Sequence, residues 1–259
     1  MFKDKVTIIT GGTSGIGGAC TRIFAERGSK VVFTSNRREE GEEYEKQLLK
    51  NGYDCKFFEC DVVNEEEIIQ VIHETVSKYG KVNHIVNNAG VHISKMMDEY
   101  TNEDFDRLFT INVKSYFWHM KHAIPYLKKE SGSIVNIASA TGKVGQYAGS
   151  LYAATKGAVM SLTKSAALDY ARSPVRVNAI LPGFVDTPLL QNWINQQADP
   201  ELTRKFLGKN QAIGRLTAPE EIARLAAFLA SEDASTVTGA IVDADGGATL
   251  DYSPATIEY

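Results

Sequence analysis

The sequence lacks long hydrophobic runs and any excess of basic side chains. These two absences argue against a membrane-spanning protein and against a nucleic-acid-binding protein. No apolar stretch approaches the ~20 residues that cross a bilayer. The apolar stretch before Gly11 is shorter than the ~7–15 residues of a signal-peptide core. We therefore expect a cytoplasmic protein without a membrane partner. The 28 basic and 32 acidic side chains give a net charge of -4, which argues against nucleic acid as a partner.

Cysteine is also scarce. The three cysteines, Cys20, Cys55 and Cys60, are odd in number and form no C-x-x-C. We expect them to be buried thiols in a reducing compartment rather than a disulfide framework. His119 and His122 have a spacing found in some metal sites, but no cysteine or carboxylate cluster accompanies them. We expect no catalytic metal.

The composition is that of a globular protein, and strands alternate with helices along it. Hydrophobic residues make up 43% and charged residues 23% of the 259 residues, which allows a substantial core. Such alternation predicts βαβ units and a parallel sheet with helices on both faces. Strands are predicted at 5–10, 30–34, 55–60, 84–88, 133–138, 175–180 and 240–242. Helices are predicted at 16–27, 64–79, 115–129, 151–172 and 219–231. A further charged helix follows the second strand and ends at about 51, and another begins near 102 and runs past 112.

No shift in composition marks a second domain. We expect an α/β fold in which residues 1–259 form one domain for both cofactor binding and catalysis. The irregular helical stretch 184–214 interrupts the alternation. Because ligands of open α/β sheets bind beyond the carboxyl ends of the strands, we expect this stretch to cover a substrate as a lid.

The first predicted strand runs into a glycine-rich turn, TGGTSGIG at residues 10–17. Gly11, Gly15 and Gly17 form a spaced relative of G-x-G-x-x-G. Glycines let the backbone turn tightly and approach a pyrophosphate, and the helix that follows offers free N–H groups at its positive end. The turn therefore predicts a site for dinucleotide phosphates.

Further motifs follow in a fixed order. Asn87-Asn88-Ala89-Gly90 follows the fourth predicted strand, and Tyr152 and Lys156 form a Y-x-x-x-K within a helix. Asn112, Ser139, Pro182-Gly183 and Thr187 complete the set. In this combination the whole chain resembles the short-chain dehydrogenase/reductase family in its compact form. The resemblance implies a three-layer Rossmann-like fold with a doubly wound, seven-stranded parallel sheet, a nicotinamide dinucleotide cofactor and a homotetramer.

The resemblance also implies a catalytic set of Asn112, Ser139, Tyr152 and Lys156. Tyr152 and Lys156 are four residues apart and so share one helix face. The pKa of a free tyrosine, near ~10, is too high for efficient proton exchange at neutral pH, and a neighbouring ammonium lowers it. Ser139 can donate a hydrogen bond to a carbonyl or alkoxide oxygen. In the family, the asparagine bends its helix and holds a water.

The resemblance assigns a larger set to the cofactor: Gly11, Thr13, Ser14, Gly15, Ile16, Ser35, Asn36, Arg37, Arg38, Asp61, Val62, Asn88, Ala89, Gly90, Tyr152, Lys156, Pro182, Gly183, Val185 and Thr187. Ser35 occupies the position at which a carboxylate would bind the adenosine 2′-hydroxyl and repel a 2′-phosphate. Arg37 or Arg38 can pair with such a phosphate. The sequence favours NADP(H), with NAD(H) as the alternative.

Three segments, 92–97, 140–147 and 184–214, are expected to converge on the substrate. The candidate substrate residues are His92, Ala140, Tyr147, Phe184 and Trp193. Several apolar side chains in these segments favour a cyclic or apolar secondary alcohol or ketone such as a hydroxysteroid.

A 3-oxoacyl reductase and a sugar or polyol dehydrogenase are the alternatives within the same reaction class. A cofactor-sensing regulatory subunit is the non-enzyme alternative. The segment 248–259 is apolar and aromatic enough to reach a neighbouring subunit, though a frayed end fits equally well.

Overall fold

The protein is built on one parallel sheet, as the alternation of strands and helices predicts. The computed structural model describes residues 1–250, and its seven strands lie in the order β3-β2-β1-β4-β5-β6-β7. The strands are β1 Val6–Thr10, β2 Lys30–Ser35, β3 Cys55–Glu59, β4 His84–Asn87, β5 Ser133–Ile137, β6 Arg176–Pro182 and β7 Ile241–Ala244. The order reverses between β1 and β4, so the sheet is doubly wound and the expected fold class is confirmed.

Helices connect the strands and cover both faces. The α-helices within residues 1–250 are α1 Gly15–Glu26, α2 Arg38–Lys50, α3 Glu65–Tyr79, α4 Asn102–Phe109, α5 Ser115–Glu130, α6 Ser150–Asp169, α7 Pro188–Ile194, α8 Pro200–Lys209 and α9 Pro219–Ala230. The predicted elements agree with these to within a few residues. The proposed contact of segment 248–259 with a neighbouring subunit falls largely outside the described residues.

Alternation along each strand sends side chains to two separate cores. In β1, Ile9 packs with the cluster that includes Phe24 of α1 and Ala226 of α9. The preceding residue, Ile8, packs on the opposite face with Ile68 of α3 and Ala123 of α5. Both β1 side chains are fully buried, as expected for a parallel sheet with helices on each side. The result is a three-layer arrangement.

The start of α3 is capped, but Asn64 and Glu67 do not form a capping box. Asn64 does cap the helix, because its side chain accepts a hydrogen bond from the Glu66 N–H at 3.1 Å. Glu67, however, accepts from the Asp61 N–H at 2.8 Å and from Asn64 Nδ2 at 3.0 Å. The Glu67 carboxylate therefore holds the loop before the helix rather than closing the usual reciprocal pair.

The irregular stretch 184–214 contains two short helices, α7 and α8. Asp199 caps α8 by accepting from the Leu202 N–H at 2.9 Å. The stretch is joined to the body by an isolated parallel bridge between Val185 and Thr217. Within residues 1–250, no helix is both long enough and apolar enough to span a bilayer.

Candidate active site

A large cleft opens at the carboxyl ends of the strands, beside the paired strands β1 and β4 at which the strand order reverses. Its volume is about 1870 Å³, above the roughly 300–1,000 Å³ of a typical site for one small ligand. The glycine-rich turn, the end of β5, the start of α6 and the stretch 184–214 all contribute to its wall. The cleft therefore has room for a dinucleotide and a second molecule beside it.

The glycine-rich turn has the geometry that a phosphate site requires. Gly11 and Gly15 have φ angles of 61° and 54°, a region that glycine adopts without strain. A Cβ on Gly17 would lie 2.0 Å from the Gly11 carbonyl oxygen, so only glycine fits there. Ser14 precedes α1 in extended backbone, and its side chain does not cap the helix within the described chain. The N–H groups of the first turn are thus available to an anion.

Asn88 ties this turn to the end of β4. Its Nδ2 donates to the carbonyl oxygens of Thr10 at 2.9 Å and Gly11 at 3.2 Å. The backbone N–H groups of Asn88 and Ala89 both donate to the hydroxyl of Thr10, at 2.9 and 3.0 Å. The two sides of the strand crossover are thereby fixed relative to each other.

The far end of the cleft brings together Ser35, Asn36, Arg37, Asp61 and Val62. The Ser35 hydroxyl accepts from the Arg37 N–H at 3.1 Å, which tightens the turn after β2. Arg37 pairs with Glu40 at 3.1 Å. The Arg38 guanidinium pairs instead with Glu42 at 2.8 Å, and Arg38 is not among the residues lining the described cleft.

Lys156 lies on the inner face of α6, almost fully buried. Its Nζ donates to the carbonyl oxygen of Ile137 at 3.1 Å and lies 5.7 Å from the centroid of the Tyr152 ring. Burial lowers the pKa of the Lys156 ammonium to about 8 because a charged group loses its hydration there. A Cβ on Gly90 would lie 3.6 Å from this Nζ, so the Asn-Asn-Ala-Gly motif leaves space beside the ammonium.

Tyr152 and Ser139 face each other across the same part of the cleft. Burial raises the pKa of Tyr152 to about 12, and a hydrogen bond with Ser139 opposes that rise only in part. The spacing of the two residues predicts that the Lys156 ammonium lowers the pKa of Tyr152 below its ordinary value. The pKa is raised instead, because burial is its largest cause and Lys156 donates to the carbonyl oxygen of Ile137 rather than to the phenol oxygen.

Ser139 is oriented by Thr141. The Thr141 hydroxyl donates to Ser139 Oγ at 3.0 Å, and the Thr141 N–H donates to the same oxygen at 3.3 Å. With two bonds accepted, the hydroxyl hydrogen of Ser139 is left to donate toward Tyr152 or a ligand oxygen. No motif in the sequence marks Thr141, because a single threonine in the short turn after β5 has no characteristic spacing to the catalytic residues.

Asn112 sits where the helical segment between α4 and α5 widens. Residues Thr110–Lys114 form a π-helical turn, a feature often found at functional sites. The Asn112 side chain exchanges two hydrogen bonds with the backbone of Val91, each 2.9 Å long, and also donates to Thr155 at 3.2 Å. Asn112 thus links the segment after β4 to the catalytic helix α6.

Thr187 joins the stretch 184–214 to the glycine-rich turn. Its hydroxyl caps α7 by accepting from the Leu190 N–H at 3.3 Å. A Cβ on Gly15 would lie 3.2 Å from Thr187 Cγ2, so the two segments face each other closely across the cleft. Pro182, Gly183 and Val185 line the wall between them.

Four of the five candidate substrate residues, His92, Ala140, Phe184 and Trp193, line the cleft. Tyr147 is 87% exposed and does not line the described cleft. The reason is a tight turn in which the Gly149 N–H donates to the Gln146 carbonyl and Ala148 has a φ of 49°. The neighbouring residue, Gln146, lines the cleft in its place. No pattern in the sequence reveals which residue of a turn points inward.

The cysteines and histidines outside the cleft have structural surroundings. Cys20, Cys55 and Cys60 are buried and free. His119 Nδ1 bonds to the Ser115 carbonyl oxygen at 2.8 Å, whereas His122 Nε2 bonds to a Glu65 oxygen at 2.7 Å. His119 and His122 therefore bond to different partners. Within the described residues, no three His, Cys, Asp or Glu side chains form a group that could hold a metal.

Comparison with known sequences places this architecture among oxidoreductases. A family profile described as "Enoyl-(Acyl carrier protein) reductase" matches residues 11–249. L-fucose dehydrogenase of Rattus norvegicus is 39% identical over 252 residues, which cover 97% of this chain and 92% of that protein. Meso-2,3-butanediol dehydrogenase of Serratia marcescens is 35% identical over 248 residues, which cover 96% of each chain.

A solved structure gives the same result. Aldohexose dehydrogenase of Thermoplasma acidophilum in its ligand-free form matches with a TM-score of 0.91 and 33% identity. The match covers 99% of this chain and 98% of the other. Fold and motif order are thus shared over nearly the whole chain.

Proposed function

Because the chain belongs to the short-chain dehydrogenase/reductase family, we propose that it transfers a hydride between a nicotinamide and the carbon of a hydroxylated secondary alcohol or sugar. The chain is an oxidoreductase of that family, whose members use a nicotinamide cofactor. The observation that carries the proposal is the convergence of Ser139, Tyr152 and Lys156 on one cleft with the phosphate-binding turn. We propose the same roles for these residues as the sequence resemblance implies.

The residues present fit such a cofactor. Gly11, Gly15 and the free first turn of α1 suit its pyrophosphate, Asp61 and Val62 line the adenosine end, and Thr187 and Lys156 lie at the nicotinamide end. When bound, the cofactor supplies the acceptor or donor of the hydride. The remaining chemistry, proton movement and stabilisation of charge on oxygen, belongs to the protein.

Tyr152 is the proposed acid and base. In reduction its phenol gives a proton to the carbonyl oxygen as the hydride arrives, and in oxidation its phenolate takes the proton of the substrate hydroxyl. The hydroxyl hydrogen of Ser139, left free by the two bonds from Thr141, stabilises charge on the substrate oxygen. The positive charge of the Lys156 ammonium favours the phenolate of Tyr152. Asn112 holds the segment after β4 in place through its hydrogen bond with the Val91 N–H.

We propose a polar substrate in preference to the hydroxysteroid that the sequence favours. The relatives named above act on a sugar, a diol and an aldohexose, by their names. The described cleft supports this choice, because His92, Gln146 and Asn192 bring polar groups to a wall that also contains Phe184 and Trp193. Aromatic rings beside hydrogen-bonding groups suit the apolar face and the hydroxyl rim of a sugar.

We propose NADP(H) as the preferred cofactor, with NAD(H) as the alternative. Ser35 offers no carboxylate to repel a 2′-phosphate, and Arg37 lines that end of the cleft. Arg37 is paired with Glu40, but both side chains are more than half exposed. An exposed ion pair contributes only about 0–1 kcal/mol, so a phosphate can displace the carboxylate.

We further propose a single-domain protein that forms a cytoplasmic homotetramer, with the stretch 184–214 as a lid. Phe105 of α4, Phe117 of α5 and Leu168 of α6 are large exposed apolar side chains, and we propose that these three helices form the subunit interfaces. Light scattering that finds only monomers would contradict the tetramer and leave the catalytic proposal unaffected.

The proposed activity is tested by a panel of substrates followed by nicotinamide absorbance with each cofactor. The panel includes aldoses, 2,3-butanediol, cyclic secondary alcohols, a hydroxysteroid and a 3-oxoacyl thioester, because the family profile carries the name of an acyl reductase. We expect turnover of sugars or diols with kcat/KM above that of the other classes. Turnover of the steroid or the acyl thioester alone would contradict the substrate class, and no turnover of any alcohol or carbonyl would contradict the enzyme assignment.

A further inference from the structure

His92 lies directly beside the proposed acid and base, yet no step of the mechanism above uses it. Its ring packs edge-on against Tyr152, with centroids 4.6 Å apart and an interplanar angle of 72°. His92 follows Gly90 by two residues, in the segment that Asn112 anchors through Val91. The cleft wall thus has an imidazole in direct contact with the ring of the proposed acid and base.

Gln146 holds this imidazole. The terminal amide nitrogen of Gln146 lies 3.2 Å from His92 Nε2. Partial burial lowers the pKa of His92 and the contact with Gln146 raises it by less, which favours the neutral ring with one donor and one acceptor nitrogen. A neutral imidazole bonded at one nitrogen can use the other for a ligand hydroxyl.

The place of Gln146 is itself determined by a glycine. A Cβ on Gly149 would lie 2.7 Å from Gln146 Cδ and 2.8 Å from Oε1. That amide oxygen is buried without a partner among the described residues, which shows that the side chain is held by packing and by His92 alone. Any side chain at position 149 would push the amide away from His92.

We propose that His92, positioned by Gln146, binds a hydroxyl on the carbon next to the reacting carbon, so that the substrates are vicinal diols, including the C1 and C2 hydroxyls of a cyclic aldose. The inference rests on the proposed function and deepens it by naming the chemical pattern that the site reads. Two oxygens on adjacent carbons are about a hydrogen-bond length apart. One can then face Tyr152 and Ser139 while the other faces His92, because the His92 and Tyr152 rings are in contact in the same cleft.

The test compares each diol with an analogue that lacks only the second hydroxyl. The substrate pairs are an aldohexose with its 2-deoxy analogue, and 2,3-butanediol with 2-butanol. We expect the wild-type enzyme to prefer the diol in kcat/KM by about 10- to 100-fold, since a site built to bond a hydroxyl discriminates strongly against its absence. His92→Phe keeps a planar ring and removes both nitrogens, and it should reduce this ratio to near one. His92→Asn, which keeps a donor and an acceptor, should restore part of the ratio.

Gly149→Ala tests the positioning role without removing any polar group. It should reduce the diol preference about 3- to 10-fold, mainly through KM, because the displaced amide no longer fixes His92. Gly157→Ala in α6 is the matched control, since Gly157 does not line the described cleft and a Cβ there meets only an ordinary contact at 3.5 Å. Nicotinamide binding and the unfolding temperature of each variant show that the fold is retained.

Each outcome is decisive. A ratio that falls in His92→Phe and Gly149→Ala but not in Gly157→Ala supports the inference. Equal losses of His92→Phe on both members of a pair would overturn it, as would a wild-type enzyme that oxidises 2-butanol or cyclic monoalcohols as well as diols. That last result leaves the proposed dehydrogenase activity standing, whereas no turnover of any alcohol or carbonyl removes the proposed function itself.

Discussion

Lys156 Nζ and the phenol oxygen of Tyr116 both donate hydrogen bonds to one carbonyl oxygen, that of Ile137, at 3.1 and 3.0 Å. Ile137 is the last residue of β5, two residues before Ser139. The ammonium is therefore anchored to the strand end that carries the catalytic serine. This anchoring replaces only part of the hydration that the charge loses on burial.

Replacing Lys156 with methionine should stabilise the protein and abolish its activity. Burial lowers the pKa of Lys156 to about 8 from its ordinary 10.5, so at pH 7 the folded state carries a poorly solvated charge. Its removal should raise the free energy of unfolding by up to about 3 kcal/mol. The unfolded chain keeps the Lys156 proton up to pH 10.5 and the folded protein releases it above about 8, so the wild type gains stability across that range. Denaturant unfolding of both proteins between pH 7 and 10.5 should show the difference shrinking, and a constant difference would refute the buried charge.

Tyr152→Phe should leave the cofactor bound and remove most of the turnover. The ring, its packing against His92 and the ammonium near it are kept, and only the proton-carrying oxygen is lost. We expect kcat to fall by about 10²–10⁴-fold, the usual contribution of a general acid or base. Nicotinamide fluorescence titration and steady-state kinetics check the two halves of the prediction. Wild-type turnover in this variant would exclude Tyr152 from the chemistry.

Thr141→Val should slow the reaction without weakening cofactor binding. The variant removes the hydroxyl that donates to Ser139 Oγ at 3.0 Å and keeps the side-chain shape. Ser139 can then rotate away from the substrate oxygen, and a loss of about 0.5–1.5 kcal/mol corresponds to a fall in kcat of roughly 2- to 10-fold. Thr141→Ser is the matched control and should stay close to wild type. The same loss in both variants would show that packing, not the hydrogen bond, is responsible.

Gly17→Ala should destabilise the glycine-rich turn and abolish cofactor binding. The new methyl group would lie 2.0 Å from the Gly11 carbonyl oxygen and 2.4 Å from Asn88 Nδ2, so the backbone must move. We expect a loss of about 1–3 kcal/mol in the free energy of unfolding. Gly157→Ala in α6 is the control, because its methyl group meets only an ordinary contact at 3.5 Å. It should be neutral or stabilising by up to about 1 kcal/mol. Thermal unfolding with and without the nicotinamide dinucleotide separates the loss of stability from the loss of cofactor binding.

Ser35→Asp should shift the cofactor preference toward NAD(H). A carboxylate at the end of β2 would bond the adenosine 2′-hydroxyl and repel a 2′-phosphate.

Arg37→Gln should lower kcat/KM for NADP(H) by about 10-fold and leave NAD(H) nearly unaffected. Arg38→Gln is the matched control, because its guanidinium pairs with Glu42 and lies outside the described cleft lining. A wild-type preference for NAD(H), measured on one substrate, would reject the NADP(H) assignment.

The sequence by itself determined the features that depend on local spacing. Alternating apolar runs predict the strands, because each strand reaches both cores at a two-residue period, as Ile8 and Ile9 do. A four-residue spacing on a helix puts Tyr152 and Lys156 on one face whatever surrounds them. The glycine-rich turn and the family motifs identify the nicotinamide oxidoreductase class in the same way, since their chemistry lies within a few consecutive residues.

Only the tertiary structure decided which residues from distant segments of the chain come into contact. His92 meets Tyr152 and Gln146 because the segments after β4 and β5 and the first turn of α6 come together at the same edge of the sheet. The pKa of Tyr152 rises because the folded chain buries its phenol, and Tyr147 is exposed because the chain turns at Ala148 while Gln146 lines the cleft. Burial, loop direction and hydrogen-bond choice all depend on which surfaces meet, and that is settled by packing over the whole fold rather than by the spacing of residues along the chain.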